Sequence, residues 1–307
     1  MTDTTDVPPL MLDDVALVRG ESGVAVAGDG PSRLHVITGL PRSGSTLLGA
    51  LLRQNPRFVA NMSSPLWGLL TGLVDAMGPG NEFALFFSEH QRAAALRGAF
   101  AGYLSDPRWA GRAVLIDTNR LWAMTPGVLD ALDPTARIIV CVRSLDQIVN
   151  SLLRLLARNP LSPSAMVGGT IRNSLFGCVN TLMGHDGVVG TALNLTRSLL
   201  SDPRWRERIL VIRYGSLVHD PQATLTALYA FLGEPVFAHD PEHLPPDDPL
   251  YEAFDRVRVN TPGLHHVPAR LHQDSLNPPM LLPEATRQEL LGQNFWEAPE
   301  FGSLRIV

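Results

Sequence analysis

A tight turn between a short apolar segment and a leucine-rich segment constrains this fold more than any other feature of the sequence. Residues 34–38 are apolar and partly β-branched, which predicts a buried strand. Residues 46–54 carry leucines at helical spacing and end before Pro56, which predicts a helix. The seven residues between them include two glycines, Gly39 and Gly44. A strand, a tight turn and a helix in this order predict a βα unit that packs into a larger sheet.

Three later segments repeat the apolar strand pattern, at residues 113–117, 137–142 and 209–213, with helical stretches between them. This alternation indicates a parallel sheet that is covered by helices on both faces. We therefore predict an α/β fold, a three-layer sandwich with a central parallel sheet. Residues 1–30 are rich in Asp, Gly and Pro and lack periodicity, so we expect a flexible N-terminal arm before one domain over residues 31–307.

Composition excludes several classes of protein. The chain has 25 basic residues, all of them arginines, and a formal net charge of -5, which argues against a nucleic-acid surface. Its two cysteines, Cys141 and Cys178, form no CxxC pair, so a disulfide framework or a structural zinc site is not expected. The absence of a secretory signal and of a membrane-spanning apolar run, together with the cysteine usage, predicts a cytoplasmic protein.

The turn itself has the sequence of a phosphate-binding loop. Residues 39–46 read GLPRSGST and connect the predicted strand to the predicted helix, so backbone N–H groups and the helix N-terminus would face an anion. The spacing of Gly39 and Gly44 matches the loop of nucleotide kinases, but Ser45 stands where their lysine belongs. The cation lies inside the loop instead, at Arg42. A plain βα turn with glycines for tightness is the alternative.

A second motif follows the predicted strand at residues 137–142. Arg143 ends this strand, and Ser144 with Gln147 predicts a capping box that begins a helix reaching about residue 157. A side chain at the carboxyl end of a parallel strand points toward the crevice where α/β sheets bind ligands. Ser151 lies two helical turns further on. The alternative is an ion-paired arginine and an incidental helix serine.

Together the two motifs resemble those of the sulfotransferases, above all the bacterial and Golgi tyrosylprotein-type branch, whose first signature reads Pro-Arg-Ser-Gly-Thr-Thr. Here residues 41–46 read PRSGST, and Arg143 with Ser151 matches the arginine and serine of the second signature. The resemblance implies a P-loop nucleotide-hydrolase-like fold. It also implies transfer of a sulfuryl group from 3′-phosphoadenosine 5′-phosphosulfate (PAPS) to a hydroxyl or amine of a small-molecule acceptor, without a metal, and release of 3′,5′-adenosine bisphosphate (PAP).

The resemblance also implies roles for individual residues. Arg42 would bind near the bridging oxygen of the donor, and Arg143 with Ser151 would hold its 3′-phosphate. Tyr214, at the end of the strand predicted over residues 209–213, would contact the nucleotide, although a half-buried strand-end aromatic explains it equally well. The amides and hydroxyls that would grip the 5′-phosphosulfate belong to Ser43, Gly44, Ser45 and Thr46.

The catalytic base does not follow the family pattern. The tyrosylprotein-type branch has a glutamate about twenty residues after its loop arginine, but residues 61–65 here contain no carboxylate. Our hypothesis is Asp117 as base, with Arg120 stabilising charge in place of the lysine of other branches. A strand-end aspartate that caps a turn and pairs with an arginine is the equal alternative. His265 and His266 occupy a late loop that either closes over the site or is a surface turn.

Two stretches interrupt the strand and helix rhythm, at residues 63–100 and 161–183, and we expect the acceptor site there. Two other functions remain open. One is a P-loop nucleotide kinase with a degenerate loop, and the other is a nucleotide-binding protein without catalysis. The sequence indicates neither the acceptor nor the oligomeric state.

Overall fold

The structure is a computed structural model that describes residues 30–60, 62–161, 164–167, 174–246, 249–276 and 278–307. Apart from Gly30, the predicted N-terminal arm therefore lies outside the described residues, as do parts of the acceptor stretch at residues 161–183.

A central parallel sheet organises the described residues. Its six strands pair in the order β2-β3-β1-β4-β5-β6, and every pair is parallel. The predicted parallel sheet is thereby confirmed. The strands are β1 (Arg33–Gly39), β2 (Phe58–Ala60), β3 (Val114–Thr118), β4 (Ile138–Val142), β5 (Ile209–Arg213) and β6 (Arg305–Ile306).

Helices cover both faces of the sheet, which confirms the three-layer prediction. Successive residues of β1 enter different cores, since Leu34 and Val36 pack on one face and Ile37 on the other. In the described residues, no helix has both the length and the apolar character needed to cross a membrane. The helices are α1 (Ser45–Leu52), α2 (Leu66–Ala76), α3 (Glu89–Leu104), α4 (Pro126–Leu132), α5 (Leu145–Arg158), α6 (Leu175–Met183), α7 (Val188–Ser201), α8 (Tyr214–His219), α9 (Pro221–Leu232), α10 (Pro249–Val257) and α11 (Glu284–Leu291).

The predicted capping box at the start of α5 is wrong. Ser144 occupies the N-cap position, but its side chain makes no capping hydrogen bond. Its hydroxyl donates instead to a carboxylate oxygen of Asp146, at 2.6 Å, because a charged acceptor forms the stronger bond. Gln147, expected to complete the box, accepts a hydrogen bond from Arg143 Nε at 3.1 Å. The helix therefore begins where predicted, but Gln147 contributes to the arginine site.

The carboxyl ends of β1 and β4 approach each other unusually closely. Gly39 is in register with Cys141, and it adopts a φ of 115°. A Cβ atom at position 39 would lie 2.3 Å from the carbonyl oxygen of Cys141. From β1 the chain continues to β2, toward one edge of the sheet, and from β4 it continues to β5, toward the other edge. The strand order therefore reverses between β1 and β4. Such a point is where open α/β sheets bind ligands.

The close approach predicts that Gly39→Ala destabilises the fold by more than ~2 kcal/mol, because the new methyl group requires both an unfavourable φ and a separation of β1 from β4. Urea unfolding measures this loss. Gly98→Ala is the matched control: it lies in α3 with no neighbouring atom near its added Cβ. This variant should gain up to ~1 kcal/mol of stability from helix propensity. Equal stability of the two variants would contradict the proposed packing constraint.

His35, within β1, makes the stability depend on pH. Burial lowers its pKa from 6.5 to about 4, with Asp133 opposing the shift, and its Nδ1 accepts the backbone N–H of Arg137 at 3.1 Å. The unfolded chain therefore takes up a proton below pH 6.5 that the folded protein resists until about 4. Stability should fall through this window by up to roughly 3 kcal/mol. The loss should shrink in His35→Gln, measured by urea unfolding at several pH values; parallel curves would contradict it.

Candidate active site

A cavity of about 850 Å³ opens at the carboxyl ends of β1, β3 and β4. This volume falls in the range of small-molecule and cofactor sites. The loop after β1, the turn after β3 and the start of α8 all contribute to its wall, together with a late segment around residue 265. The predicted site residues that line it are Arg42, Gly44, Ser45, Thr46, Arg120, Arg143 and Tyr214, joined by His265 and His266.

Arg42 is held in a left-handed backbone conformation, with a φ of 56°. Such a conformation is uncommon for a residue other than glycine and persists only where surrounding contacts enforce it. Two contacts do so here: Nε donates to the hydroxyl of Ser151 at 3.2 Å, and Nη1 donates to the carbonyl oxygen of Leu264. The loop arginine therefore lies between the helix of the second motif and the late segment.

The N-terminus of α1 faces the same cavity. Gly44 is its N-cap residue, with a φ of 95°, and no side chain caps the first turn. The backbone N–H groups of Ser45 and Thr46 are therefore available to an anion. Ser43 differs from its neighbours, because its side chain is buried and donates a hydrogen bond to the carbonyl oxygen of Leu40. Its hydroxyl thus supports the loop from within.

Arg143 joins the two motifs. Its Nη1 donates to the carbonyl oxygen of Arg42 at 3.3 Å, and its guanidinium lies 4.1 Å from the ring centre of Tyr214. The same tyrosine ring packs on Gly44, where an added Cβ would approach it to 2.8 Å. Loop, strand-end arginine and tyrosine thus form one packed unit, although about a hundred residues separate the first motif from the second.

The cavity is electropositive. Burial lowers the pKa of both Arg42 and Arg143, and Tyr214 opposes the shift in each case. Guanidinium groups nevertheless stay charged at neutral pH because their pKa values are so high. Among the described residues, no carboxylate forms an ion pair with Arg42 or with Arg120. Desolvated cations beside an uncapped helix N-terminus make this a site for an anionic ligand.

Asp117 does not line the cavity, although the next three residues of the chain do. Its side chain is fully buried, and its carboxylate accepts hydrogen bonds from the hydroxyl of Ser64 and, at 2.7 Å, from Nε1 of Trp122. The cavity is reached instead by Arg120, whose carbonyl oxygen accepts a bond from Thr38. This placement supports the structural interpretation of Asp117 as a strand-end carboxylate that organises its turn.

The late segment carries an arrangement that the sequence did not reveal. His265 lines the cavity, and its Nδ1 lies 2.5 Å from a carboxylate oxygen of Asp255. Asp255 belongs to α10, a helix that we did not predict from the sequence. Leu250, Phe254 and Val257 recur at helical spacing and could have indicated it. Nothing in the sequence indicates that Asp255 turns inward.

The two stretches expected to hold the acceptor contribute little to the cavity. In the stretch at residues 63–100, Ser63 reaches it, whereas Phe83 and Phe86 lie exposed on the surface. In the described part of the stretch at residues 161–183, Ala165 and Met166 line it. Across the described residues, no group of three or more His, Cys, Asp or Glu side chains could hold a metal ion.

The sulfotransferase family model matches residues 36–239. A comparison with curated proteins gives no significant match. Among solved structures, the sulfotransferase domain from the curacin biosynthetic pathway is 17% identical, with a TM-score of 0.46, over 88% of this chain and 99% of that one. The sulfotransferase domain of a Synechococcus olefin synthase is 19% identical, with a TM-score of 0.47, over 89% and 98%. A mouse sulfotransferase complexed with PAP is 15% identical, with a TM-score of 0.43, over 88% and 80%.

The family match takes in more than half of the chain. It spans the loop that begins at Gly39, the second motif at Arg143 and the aromatic contact at Tyr214. These are the elements that meet in the cavity. The chain belongs to the sulfotransferase family.

Proposed function

We propose that the protein transfers a sulfuryl group from PAPS to a hydroxyl, or an amine, of a small-molecule acceptor. One observation carries this proposal: the two signatures meet, since Arg42 bonds to Ser151 and Arg143 bonds to the carbonyl oxygen of Arg42. A donor with phosphate groups at both ends of its ribose needs two cationic sites at a fixed separation. The contact between the signatures supplies them in one cavity.

The donor would lie along this line of contacts. Its 5′-phosphosulfate would bind the N-terminus of α1 through the amides of Ser45 and Thr46, beside Arg42. Its 3′-phosphate would bind Arg143 and Ser151, each of which is hydrogen-bonded to that loop arginine. The mouse relative was solved with PAP bound, which agrees with a donor of this kind.

We propose that the transfer needs no metal. The departing 5′-phosphate gains negative charge as its bond to sulfur breaks, and preorganised donors at that position lower the barrier. Arg42 and the first turn of α1 supply these donors, and Arg120 adds a further cation at the cavity wall. A sulfuryl group carries less charge than a terminal phosphoryl group, so fixed cations of this kind are sufficient.

A cytoplasmic location is part of the proposal and is supported by two free cysteines.

Ligand selectivity tests the donor site. PAP should bind the folded protein, because both of its phosphates would meet cations, and at a hundred times its dissociation constant it should stabilise the fold by about 2.7 kcal/mol. AMP, which lacks the 3′-phosphate, should bind more weakly, and ATP with Mg²⁺ should give no shift. Thermal shift measures all three. Stabilisation by ATP with Mg²⁺ alone would favour the kinase alternative instead.

Arg143→Ala identifies the 3′-phosphate site within that assay. Because a hydrogen bond to a charged group contributes about 1.5–3 kcal/mol, the variant should bind PAP ~10- to 100-fold more weakly. Its affinity for AMP should fall less, because AMP loses only the support that Arg143 gives to the loop at Arg42. Arg97→Ala is the matched control, since Arg97 is an exposed arginine of α3 that does not line the cavity. Equal losses for PAP and AMP would place the 3′-phosphate elsewhere.

Acceptor screening with labelled PAPS tests catalysis itself and separates an enzyme from a binding protein. The hypothesis from the sequence that Asp117 is the base is tested by Asp117→Asn. Loss of transfer with unchanged PAP affinity and unchanged thermal stability would support that role. We expect the opposite, because Asp117 is buried and bonded to Ser64 and Trp122. The variant should lose stability and keep its turnover per folded molecule.

A further inference from the structure

Asp255 is the one buried residue of α10, a helix that is otherwise accessible to solvent. Burying a carboxylate costs free energy unless it is paired and hydrogen-bonded. Both oxygens of Asp255 are used by a single residue: one accepts the backbone N–H of His265 at 2.7 Å, and the other lies 2.5 Å from its Nδ1. The buried residue of this helix therefore orients a single histidine, His265.

This contact defines the state of the imidazole ring. With Nδ1–H donating to the carboxylate, a neutral ring carries its lone pair on Nε2. Within the described residues, Nε2 of His265 forms no hydrogen bond. The side chain is 20% exposed, against 2% for Asp255, and it lines the main cavity. His265 therefore presents an oriented, unoccupied proton acceptor at the site.

The position of the histidine relative to the donor loop is also fixed. Arg42 donates to the carbonyl oxygen of Leu264, the residue immediately before His265. His265 and His266 also line a second cavity of about 370 Å³, which adjoins the first. The pair forms a partition between the cavity with the anion site and a smaller one bounded by Pro249 and Tyr251. An acceptor hydroxyl at this partition would lie beside the loop arginine.

We propose that His265 is the general base of sulfuryl transfer and that Asp255 is its positioning residue. This assignment rests on the proposed function. It makes α10 and the segment that follows it part of the catalytic apparatus, with the acceptor bound against the partition of His265 and His266.

The proposed step replaces one O–S bond of the sulfuryl group with another. The acceptor oxygen attacks sulfur and forms the new O–S bond, while the bond between sulfur and the bridging oxygen of PAPS breaks. The electron pair of that bond leaves with PAP, whose 5′-phosphate charge Arg42 stabilises. The acceptor proton passes to Nε2 of His265, and Asp255 stabilises the resulting imidazolium ion. Solvent then removes the proton, which restores the neutral ring.

Removal of the base should matter in proportion to how firmly the acceptor holds its proton. We therefore compare phenol, which ionises near pH ~10 as tyrosine does, with 4-nitrophenol, which is already largely ionised in mildly alkaline buffer. His265→Ala should lower kcat for phenol by ~10²- to 10⁴-fold, the usual contribution of a general base. For 4-nitrophenol the loss should stay below ~10-fold. Added imidazole should restore part of the phenol rate.

The chain offers a matched control. His243 also pairs with an aspartate, since its Nδ1 lies 2.8 Å from Asp240, but this pair is exposed and lies outside both cavities. His243→Ala should keep the wild-type rate with both acceptors. PAP affinity, measured for every variant, should be unchanged. Asp255→Asn should lower kcat for phenol more than for 4-nitrophenol, with KM nearly constant, because the amide no longer fixes the ring.

The outcomes separate the two levels of the proposal. Equal losses with both phenols in His265→Ala, or no loss with either, would overturn the role of His265 as base while leaving the enzyme a sulfotransferase. Loss of PAP binding in this variant would also overturn it, since the residue would then serve the donor site. A wild-type protein that binds PAP but sulfates no phenol, alcohol or amine would overturn the proposed function, and the base with it.

Discussion

The close contact between β1 and β4 at Gly39 is the constraint on which the rest of the site depends. Because residue 39 has no side chain, the carbonyl oxygen of Cys141 can approach its backbone, and Leu40 N–H donates to that same oxygen at 2.9 Å. The two strands therefore end side by side. The loop after one strand and the arginine after the other begin within reach of each other, and their hydrogen bond follows from this geometry.

A site built from arginines alone differs physically from one built on a phosphate-loop lysine. A guanidinium is planar, stays charged, and can stack on an aromatic ring while its edge donates hydrogen bonds. Arg143 uses both properties, with Tyr214 beneath its plane and the loop backbone at its edge. An ammonium group could not hold these contacts together. The arginine thus fixes the loop as well as the charge of the site.

The sequence predicted well what depends on local pattern. The strand over residues 209–213 was predicted to the residue, the other three predicted strands to within one residue, and the predicted strand-to-helix turn lies within residues 39–46. Strands β2 and β6 were missed, because three and two residues are too few to show a period. The pairing of Asp255 with His265 was missed for a different reason: which face of α10 turns inward depends on tertiary packing, and its apolar spacing points to Phe254 and Val257, which are exposed.

The late segment around residue 265 connects the anion site to the proposed base. Arg42 donates to the residue before His265, while Asp255 holds the histidine itself, so the arginine proposed to bind the donor and the proposed base share one chain of contacts. An acceptor bound without the donor would meet a base but no electrophile, and a loop displaced from Leu264 would lose its orientation toward that base. In the proposed mechanism, this coupling would limit unproductive chemistry, because correct placement of the sulfuryl group and of the base would depend on the same arginine.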